Sequence, residues 1–409
     1  MTPETAAETP PAGKKGTVWE VFLVFLKLGV TSFGGPIAHL GYFRNELIQR
    51  RNWLNDDGYG DLVALSQFLP GPASSQVGFG LGLYRAGVFG GIAAFLGFTL
   101  PSAVLLVAFA YGASLFEGAA GAGILTGLKV VAVAIVAQAV WGMAKTLTPD
   151  RTRAFIAVLA ALSALFLGGS VGQIIAIAIG AAAGLLFCRE KAAPRDNMIR
   201  FQVSQTAGWI SLGIFAGLLV GLPIVATATE SEALRLFETF YRAGALVFGG
   251  GHVALPLLQA GVVDTGWVSV DQFLAGYGAA QGVPGPLFTF AAYLGTISST
   301  GPGGILGAII ALAGMFLPGI LLLVAVLPFW NTLRSRPRAQ ALMRGSNAAV
   351  VGILAAALYD PVFITGITDP AAFALALVCF ALLIAWRTPT WVVVLVGAAG
   401  GILLSIFAQ

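Results

Sequence analysis

Two Pro-Gly-Pro tripeptides stand inside apolar segments that otherwise have the composition of membrane-spanning helices: Pro70-Gly71-Pro72 and Pro284-Gly285-Pro286. Proline lacks a backbone N–H and clashes with the preceding helical turn, so two prolines around a glycine should break the helix. In lipid, such a break is tolerated only where protein or a water-filled cavity satisfies the freed backbone groups. The two tripeptides therefore predict polar sites within the membrane.

The side chains beside the two breaks are suited to binding an oxyanion. The helix that resumes after a break exposes free N–H groups and the positive end of its dipole. Hydroxyl and amide donors complement these groups, because an oxyanion has many acceptor oxygens. The alternative is that both breaks are packing kinks, with the hydroxyls bonded to their own helices. The candidate side chains are Gln67, Ser74, Ser75, Gln76, Gln281 and Thr289, beside Gly71 and Gly285.

A second pair of breaks is expected at two Phe-Gly-Gly motifs, since consecutive glycines free the backbone for turns. These motifs contribute Gly34, Gly35, Gly249 and Gly250 as candidate site residues. The only two histidines, His39 and His252, follow the motifs closely. They could relay protons near neutral pH, although a lone histidine is more often a satisfied structural residue.

Two basic residues occupy corresponding places in apolar segments, Lys27 and Arg242. A charge in the middle of a membrane costs roughly 2.5–3.5 kcal/mol on insertion scales, so it should face a cavity or a partner. The pair predicts an anionic ligand. The alternative is that both side chains extend to the interface, and for Arg242 a partner is available in Glu238, one turn earlier. Lys129 is a weaker candidate.

These correspondences form an internal repeat. Ordered helix breakers recur 214 to 217 residues apart: Phe33-Gly34-Gly35 with Phe248-Gly249-Gly250, the two Pro-Gly-Pro tripeptides, Trp53 with Trp267, Pro101 with Pro318, and Gly180-Ala181-Ala182 with Gly397-Ala398-Ala399. Breaks at matching places in two halves of a chain are typical of transporter binding sites.

Composition places the chain among polytopic membrane proteins. It has 409 residues, 57% hydrophobic and 10% charged, with a mean hydropathy of +0.88, whereas a soluble protein has roughly 25% charged residues. The formal charge of +4 is assigned to cytoplasmic loops and not to a nucleic-acid surface. Two distant cysteines predict no disulfide framework or metal site. With no nucleophile–base group or phosphate loop, we predict no enzymatic activity and no cofactor.

The predicted fold class is an all-α polytopic membrane protein with about 13 transmembrane segments and two homologous repeats with broken helices. Loop charges favour repeats that are inverted relative to each other. The misfit is the basic segment 44–51, which a re-entrant hairpin over 61–84 would bring inside. Pro101 is expected to kink its helix, and Gly168-Gly169-Ser170 to divide a tight helix pair. The predicted divisions are a disordered tail (1–16), a first repeat (17–188), a cytoplasmic loop with a linking helix (189–231) and a second repeat (232–409).

The motifs resemble those of the chromate ion transporters. The run from Phe25 to His39 is similar to the first signature of that family, and Gln67-Phe68-Leu69-Pro70-Gly71-Pro72 is similar to another. The duplicated motifs match its two-domain members. The second half departs from the pattern at Gly251-His252, which replaces the proline after Phe-Gly-Gly.

The resemblance implies chromate export across the inner membrane of a prokaryote, conferring chromate resistance, by secondary transport driven by an ion gradient. The alternative is transport of sulfate or another inorganic anion on the same scaffold. The sequence leaves open the coupling ion, a homo-oligomeric state and the choice between rocking and elevator motions.

Overall fold

The computed structural model describes residues 16–112, 119–189, 203–248, 253–333 and 336–407, which form helices joined by turns, with no strand among them. Gly249, Gly250 and His252 lie outside the described residues, as does most of the predicted N-terminal tail. The α-helices are α1 (Val18–Thr31), α2 (Gly35–Phe43), α3 (Asp56–Phe68), α4 (Ala73–Gly112), α5 (Ala119–Leu147), α6 (Arg151–Leu167), α7 (Gly169–Phe187), α8 (Gln205–Ala228), α9 (Glu232–Leu246), α10 (Ala254–Leu258), α11 (Val270–Gln281), α12 (Phe290–Ile297), α13 (Gly304–Val326), α14 (Trp330–Leu333), α15 (Pro337–Ala357), α16 (Ile364–Gly366), α17 (Pro370–Ile384) and α18 (Thr390–Phe407).

Several of these helices can cross a membrane. By length and composition, five helical stretches among the described residues qualify: Ala73–Gly112, Gly121–Leu147, Gln205–Ala228, Gly304–Phe329 and Pro337–Gly366. Shorter apolar helices accompany them, including Val171–Phe187 and Thr390–Ile406. The fold class is as predicted, while the count of 13 segments stays a prediction.

Both Pro-Gly-Pro tripeptides break their helices. In the first half, α3 ends at Phe68 and α4 begins at Ala73. In the second half, α11 ends at Gln281 and a 3₁₀ turn over Leu287–Thr289 leads into α12. Gly71 and Gly285 have φ angles of +118° and +100°, a left-handed conformation that glycine adopts without a Cβ penalty.

The chain reverses where glycines permit it. The long helix α4 is interrupted at Ala86 and Gly87, whereas its backbone angles stay helical at Pro101. The interruption at Gly87, where φ is +68°, falls between the two segments separated in the sequence, and the kink at Pro101 stays a prediction. The predicted helix pair divided near Gly168 is confirmed by α6 and α7.

The repeat is visible in helix packing. A Cβ built on Gly29 of α1 would lie 2.7 Å from the carbonyl oxygen of Gly97 in α4. In the second half, one built on Gly314 of α13 would lie 2.8 Å from the carbonyl oxygen of Phe237 in α9. In both halves, small residues let the first helix (α1 or α9) pack directly against the backbone of α4 or α13. Two π-helical segments, Arg44–Arg50 and Gln259–Val263, also begin 215 residues apart.

The two halves are interleaved. Helix α5 of the first half packs against α17 and α18 of the second, and α15 of the second packs against α6 and α7 of the first. Glycines make both contacts close: Gly127 faces the backbone of Gly397, and Gly345 faces that of Gly180. The last two helices of each half therefore belong, by packing, to the other half.

Candidate functional site

Each Pro-Gly-Pro break is hydrogen-bonded to the other half of the chain. The N–H of Gly71 donates to the carbonyl of Val247 at 2.7 Å, and the N–H of Gly285 donates to the carbonyl of Ser32 at 2.9 Å. Ser32 and Val247 directly precede the two Phe-Gly-Gly motifs. The bonds therefore form two equivalent crossings, at which the Pro-Gly-Pro of one half meets the residue that precedes the Phe-Gly-Gly motif of the other. In this structure, both N–H groups are hydrogen-bonded to protein carbonyls.

Helices α13 and α4 pack against the glycines of the two Pro-Gly-Pro breaks. A Cβ on Gly71 would lie 2.9 Å from Cα of Gly319 in α13, and a Cβ on Gly285 would lie 2.9 Å from Oγ of Ser102 in α4. Ser102 and Gly319 each follow the proline of their helix. Sequence reasoning missed these two residues, although their equivalent places after Pro101 and Pro318 were a usable signal.

Gln76 holds the first break together. Its side chain is fully buried, and its Nε2 donates to the carbonyls of Pro70 at 3.0 Å and Gly319 at 2.9 Å. Thr289 is likewise occupied, because its hydroxyl donates to the carbonyl of Pro286 at 2.7 Å. In this structure Gln76 bridges the two sides of the crossing and Thr289 bonds to its own turn, while a role of either side chain in ligand binding stays a prediction.

The start of α4 keeps donors available. Ser74 and Ser75 are both buried, in the first helical turn, where backbone N–H groups have no partner within the helix. Ser74 Oγ shares a hydrogen bond of 3.4 Å with Nδ1 of His39. The hydroxyl of Ser75 has no hydrogen-bond partner among the described residues. Such a helix start, carrying two hydroxyls, can bind an oxyanion.

The remaining candidates have varied surroundings. The two glutamines before the breaks differ: Gln67 is exposed, and Gln281 is partly buried. Gly34 and Gly35 have φ angles of +100° and +80° and lead into α2, whose His39 is almost completely buried.

Lys27 is paired with an acid of its own half. Its Nζ lies 3.4 Å from Glu46, in a cluster in which Arg50 and Arg51 bind the same carboxylate at 3.2 and 2.9 Å. The side chain of Glu46 is 11% exposed and that of Lys27 is 52% exposed. Lys27 thus has a partner, as a charge within a membrane requires. Sequence reasoning missed Glu46, for which the signal was an acid within the basic segment after Phe-Gly-Gly.

The other basic candidates are paired as well. Arg242 Nε lies 3.1 Å from Glu238 one turn earlier, as the alternative interpretation expected. Lys129 Nζ lies 2.9 Å from Asp271, and this ion pair joins α5 of the first half to α11 of the second.

Removing the shared acid should destabilise the first half. Glu46→Gln leaves Lys27, Arg50 and Arg51 without their common carboxylate, so we expect the free energy of unfolding to fall by about 1–3 kcal/mol. The measurement is the Tm of the purified protein in detergent. Asp56→Asn is the matched control: its pair with Arg44 has both side chains more than half exposed, so a loss of at most ~1 kcal/mol is expected. Equal Tm shifts for the two variants would contradict a structural role for Glu46.

Comparison with known proteins covers both halves of the chain. The family model described as "Chromate transporter" matches residues 19–185 and, again, residues 234–402. The chromate transport protein of Pseudomonas aeruginosa is 28% identical over 386 residues, which cover 93% of this chain and 90% of that protein. No solved structure matches the chain significantly.

Two further relatives extend this result. The chromate transport protein of Cupriavidus metallidurans is 26% identical over 97% of this chain and 95% of its own length. The probable chromate transport protein of Synechococcus elongatus is 30% identical over 82% of each chain. Because the family model matches most of the sequence, in two copies that each carry a broken helix, the chain belongs to the chromate transporter family.

Proposed function

We propose that this protein is a secondary active transporter that exports chromate from the cytoplasm and thereby confers chromate resistance. The observation that carries the proposal is the full-length similarity to proteins named for chromate transport, over 93% of this chain in one case. The family is one of transporters, which agrees with the prediction of a non-enzyme.

The geometry of the first break supports an anionic substrate. Ser74 and Ser75 place hydroxyls at the start of α4, beside N–H groups that have no partner within the helix. Chromate is a tetrahedral dianion with four acceptor oxygens, so several converging donors would replace its hydration shell. Sulfate has the same shape and charge, and sulfate or another inorganic anion is the second candidate.

We propose further that the protein lies in the inner membrane of a prokaryote, with its two repeats (17–188 and 232–409) inverted around the linking segment (189–231). Since α6 and α7 pack on α15, and α17 and α18 pack on α5, the moving units during alternating access would combine helices of both halves. A coupling ion, with His39 as a candidate proton acceptor, and a homo-oligomeric state belong to the same proposal.

The test is flux in inside-out membrane vesicles with an imposed pH gradient. We expect saturable chromate uptake that depends on the gradient and that sulfate inhibits. Vesicles that take up no more chromate than vesicles lacking the protein would refute the function. Saturable uptake of sulfate without chromate would select the second candidate.

Removing the hydroxyls of the first break should weaken substrate binding. For Ser74→Ala and Ser75→Ala, we expect the half-saturating chromate concentration to rise about tenfold or more, because each hydroxyl would donate to a charged acceptor. The matched control is Ser163→Ala, which removes a buried hydroxyl bonded to the carbonyl of Gly172 in another part of the bundle. If the half-saturating chromate concentration were unchanged in both serine variants, these residues would not be part of the substrate site. Lys27→Ala is measured in parallel to test whether that charge attracts the anion.

A further inference from the structure

The two crossings have equivalent backbone hydrogen bonds but differ in most of the side chains linked to them. Five polar residues of the first half, connected by contacts to Gly285, have apolar residues or glycine at the repeat spacing of 214 to 217, whereas Gln76 is the polar side chain at the Gly71 crossing. The polar set is Ser32, His39, Ser74, Thr99 and Ser102, and the equivalent set is Val247, Ala254, Phe288, Phe316 and Gly319.

Contacts tie the polar set to Gly285. Its N–H donates to the carbonyl of Ser32, and a Cβ built on it would lie 2.9 Å from Ser102 Oγ and 3.2 Å from the carbonyl of Phe98. The ring of Phe98 packs edge to face against His39, with the ring centroids 5.3 Å apart. His39 in turn shares its hydrogen bond with Ser74 at the start of α4.

Two hydroxyls of this set lack a partner. Ser32 is 0% exposed and Thr99 is 3% exposed, and neither Oγ of Ser32 nor Oγ1 of Thr99 has a hydrogen bond among the described residues. Burying a hydroxyl without a hydrogen bond is unfavourable, and such groups in native proteins are uncommon. Ser102, by contrast, is satisfied by the carbonyl of Thr99 at 3.0 Å. The two free hydroxyls are therefore available to a ligand.

The apolar crossing has a different chemistry. There, Gly71 packs against Gly319, and the amide of Gln76 closes the contact by bonding to two carbonyls. The equivalents of Ser74 and Thr99, Phe288 and Phe316, pack against each other with their rings tilted by 60° and their centroids 6.1 Å apart. At this crossing, the amide donor of Gln76 is already hydrogen-bonded to protein, and the equivalents of the polar residues are apolar or glycine. We therefore interpret it as a structural contact between the halves.

We propose that the protein has a single oxyanion site, at the Gly285 crossing, in which the hydroxyls of Ser32 and Thr99 bind the anion together with those of Ser74 and Ser75 at the start of α4. The Gly71 crossing is the structural contact. The site uses neutral donors, because Lys27 and Arg242 are each held by a carboxylate. The identification of the ligand as chromate or sulfate rests on the proposed function, whereas the position of the site does not.

The test is anion binding by the purified full-length protein in detergent, measured as the rise of Tm with added sodium sulfate or sodium chromate at constant ionic strength. We expect Ser32→Ala and Thr99→Val to weaken the apparent affinity about tenfold or more for both anions. Thr99→Ser and Ser32→Thr keep a hydroxyl and should retain affinity within a few-fold of the wild type. This contrast separates loss of a donor from general damage to the fold.

Controls at the equivalent positions make the test specific. Val247→Ala and Phe316→Leu alter the Gly71 crossing and should change the Tm without ligand, but leave the anion affinity unchanged. Ser211→Ala removes a buried hydroxyl bonded to the carbonyl of Leu321 and should not alter affinity. Wild-type affinity in both Ser32→Ala and Thr99→Val, equal losses at the two crossings, or no anion binding by the wild type would overturn the single site. Absence of flux in vesicles with anion binding intact would refute the transport function alone.

Discussion

Gly71→Ala is expected to cause the largest loss of stability of any alanine substitution at the two crossings. At φ = +118°, a residue with a Cβ is strained by an amount of order 1–3 kcal/mol. The added carbon would also lie 2.9 Å from Cα of Gly319 and 3.1 Å from Nε2 of Gln76. Because the nearest atom belongs to backbone, it cannot rotate away, and the bond from Gly71 to Val247 would be disturbed. We expect a fall in Tm and loss of flux in vesicles.

Gly285→Ala provides an informative comparison. Its φ of +100° imposes a similar strain, but the closest atom to the added carbon is the side-chain oxygen of Ser102, which can change rotamer. We therefore expect a smaller fall in Tm than for Gly71→Ala, together with weaker anion binding.

The matched control for both variants is Gly60→Ala in α3, where no described atom outside the local helix lies within 4 Å of the added carbon. Alanine is favoured over glycine within a helix by up to about 1 kcal/mol, so this variant should be neutral or slightly stabilising. If Gly71→Ala had the same Tm as Gly60→Ala, the close contact between the halves at Gly319 would be refuted.

Gly345→Val is expected to separate helices α15 and α7 and so disrupt the interleaving of the halves. The first added carbon would lie within 2.7 Å of Cα and N of Gly184 and still closer to the carbonyl of Gly180. Overpacking of this kind costs typically about 1–3 kcal/mol, and more where backbone must move. The expected result is a marked fall in Tm, with little correctly folded protein recovered from membranes.

The control for this variant is Gly217→Val in α8, where no described atom outside the local helix lies within 4 Å. Both substitutions introduce the same β-branched residue into an apolar helix, so intrinsic helix propensity cancels between them. Equal stability of the two variants would contradict the contact between the last helix of the first half and α15.

The helix breaks and the repeat follow from the amino-acid sequence alone, which also predicts the start of α4 as a donor site. These features depend on local chemistry: proline cannot donate a backbone hydrogen bond, glycine tolerates positive φ, and a segment without charge is stable in lipid. Such constraints operate within a few residues of Gly71 or Gly285, so they can be read in order along the chain. The repeat can be identified from the order and spacing of the glycine and proline motifs alone.

Which groups face each other depends on how the helices pack and is not given by local sequence. Lys27 and Glu46 are 19 residues apart, and Gln76 and Gly319 are 243 apart. Whether a charge or an amide is free depends on the partner that packing brings to it, because an ion pair or hydrogen bond satisfies the same group that would otherwise bind a ligand. The Pro-Gly-Pro glycines show this most directly: their conformation follows from residue type, whereas the partner of each N–H follows from the interleaving of the two halves.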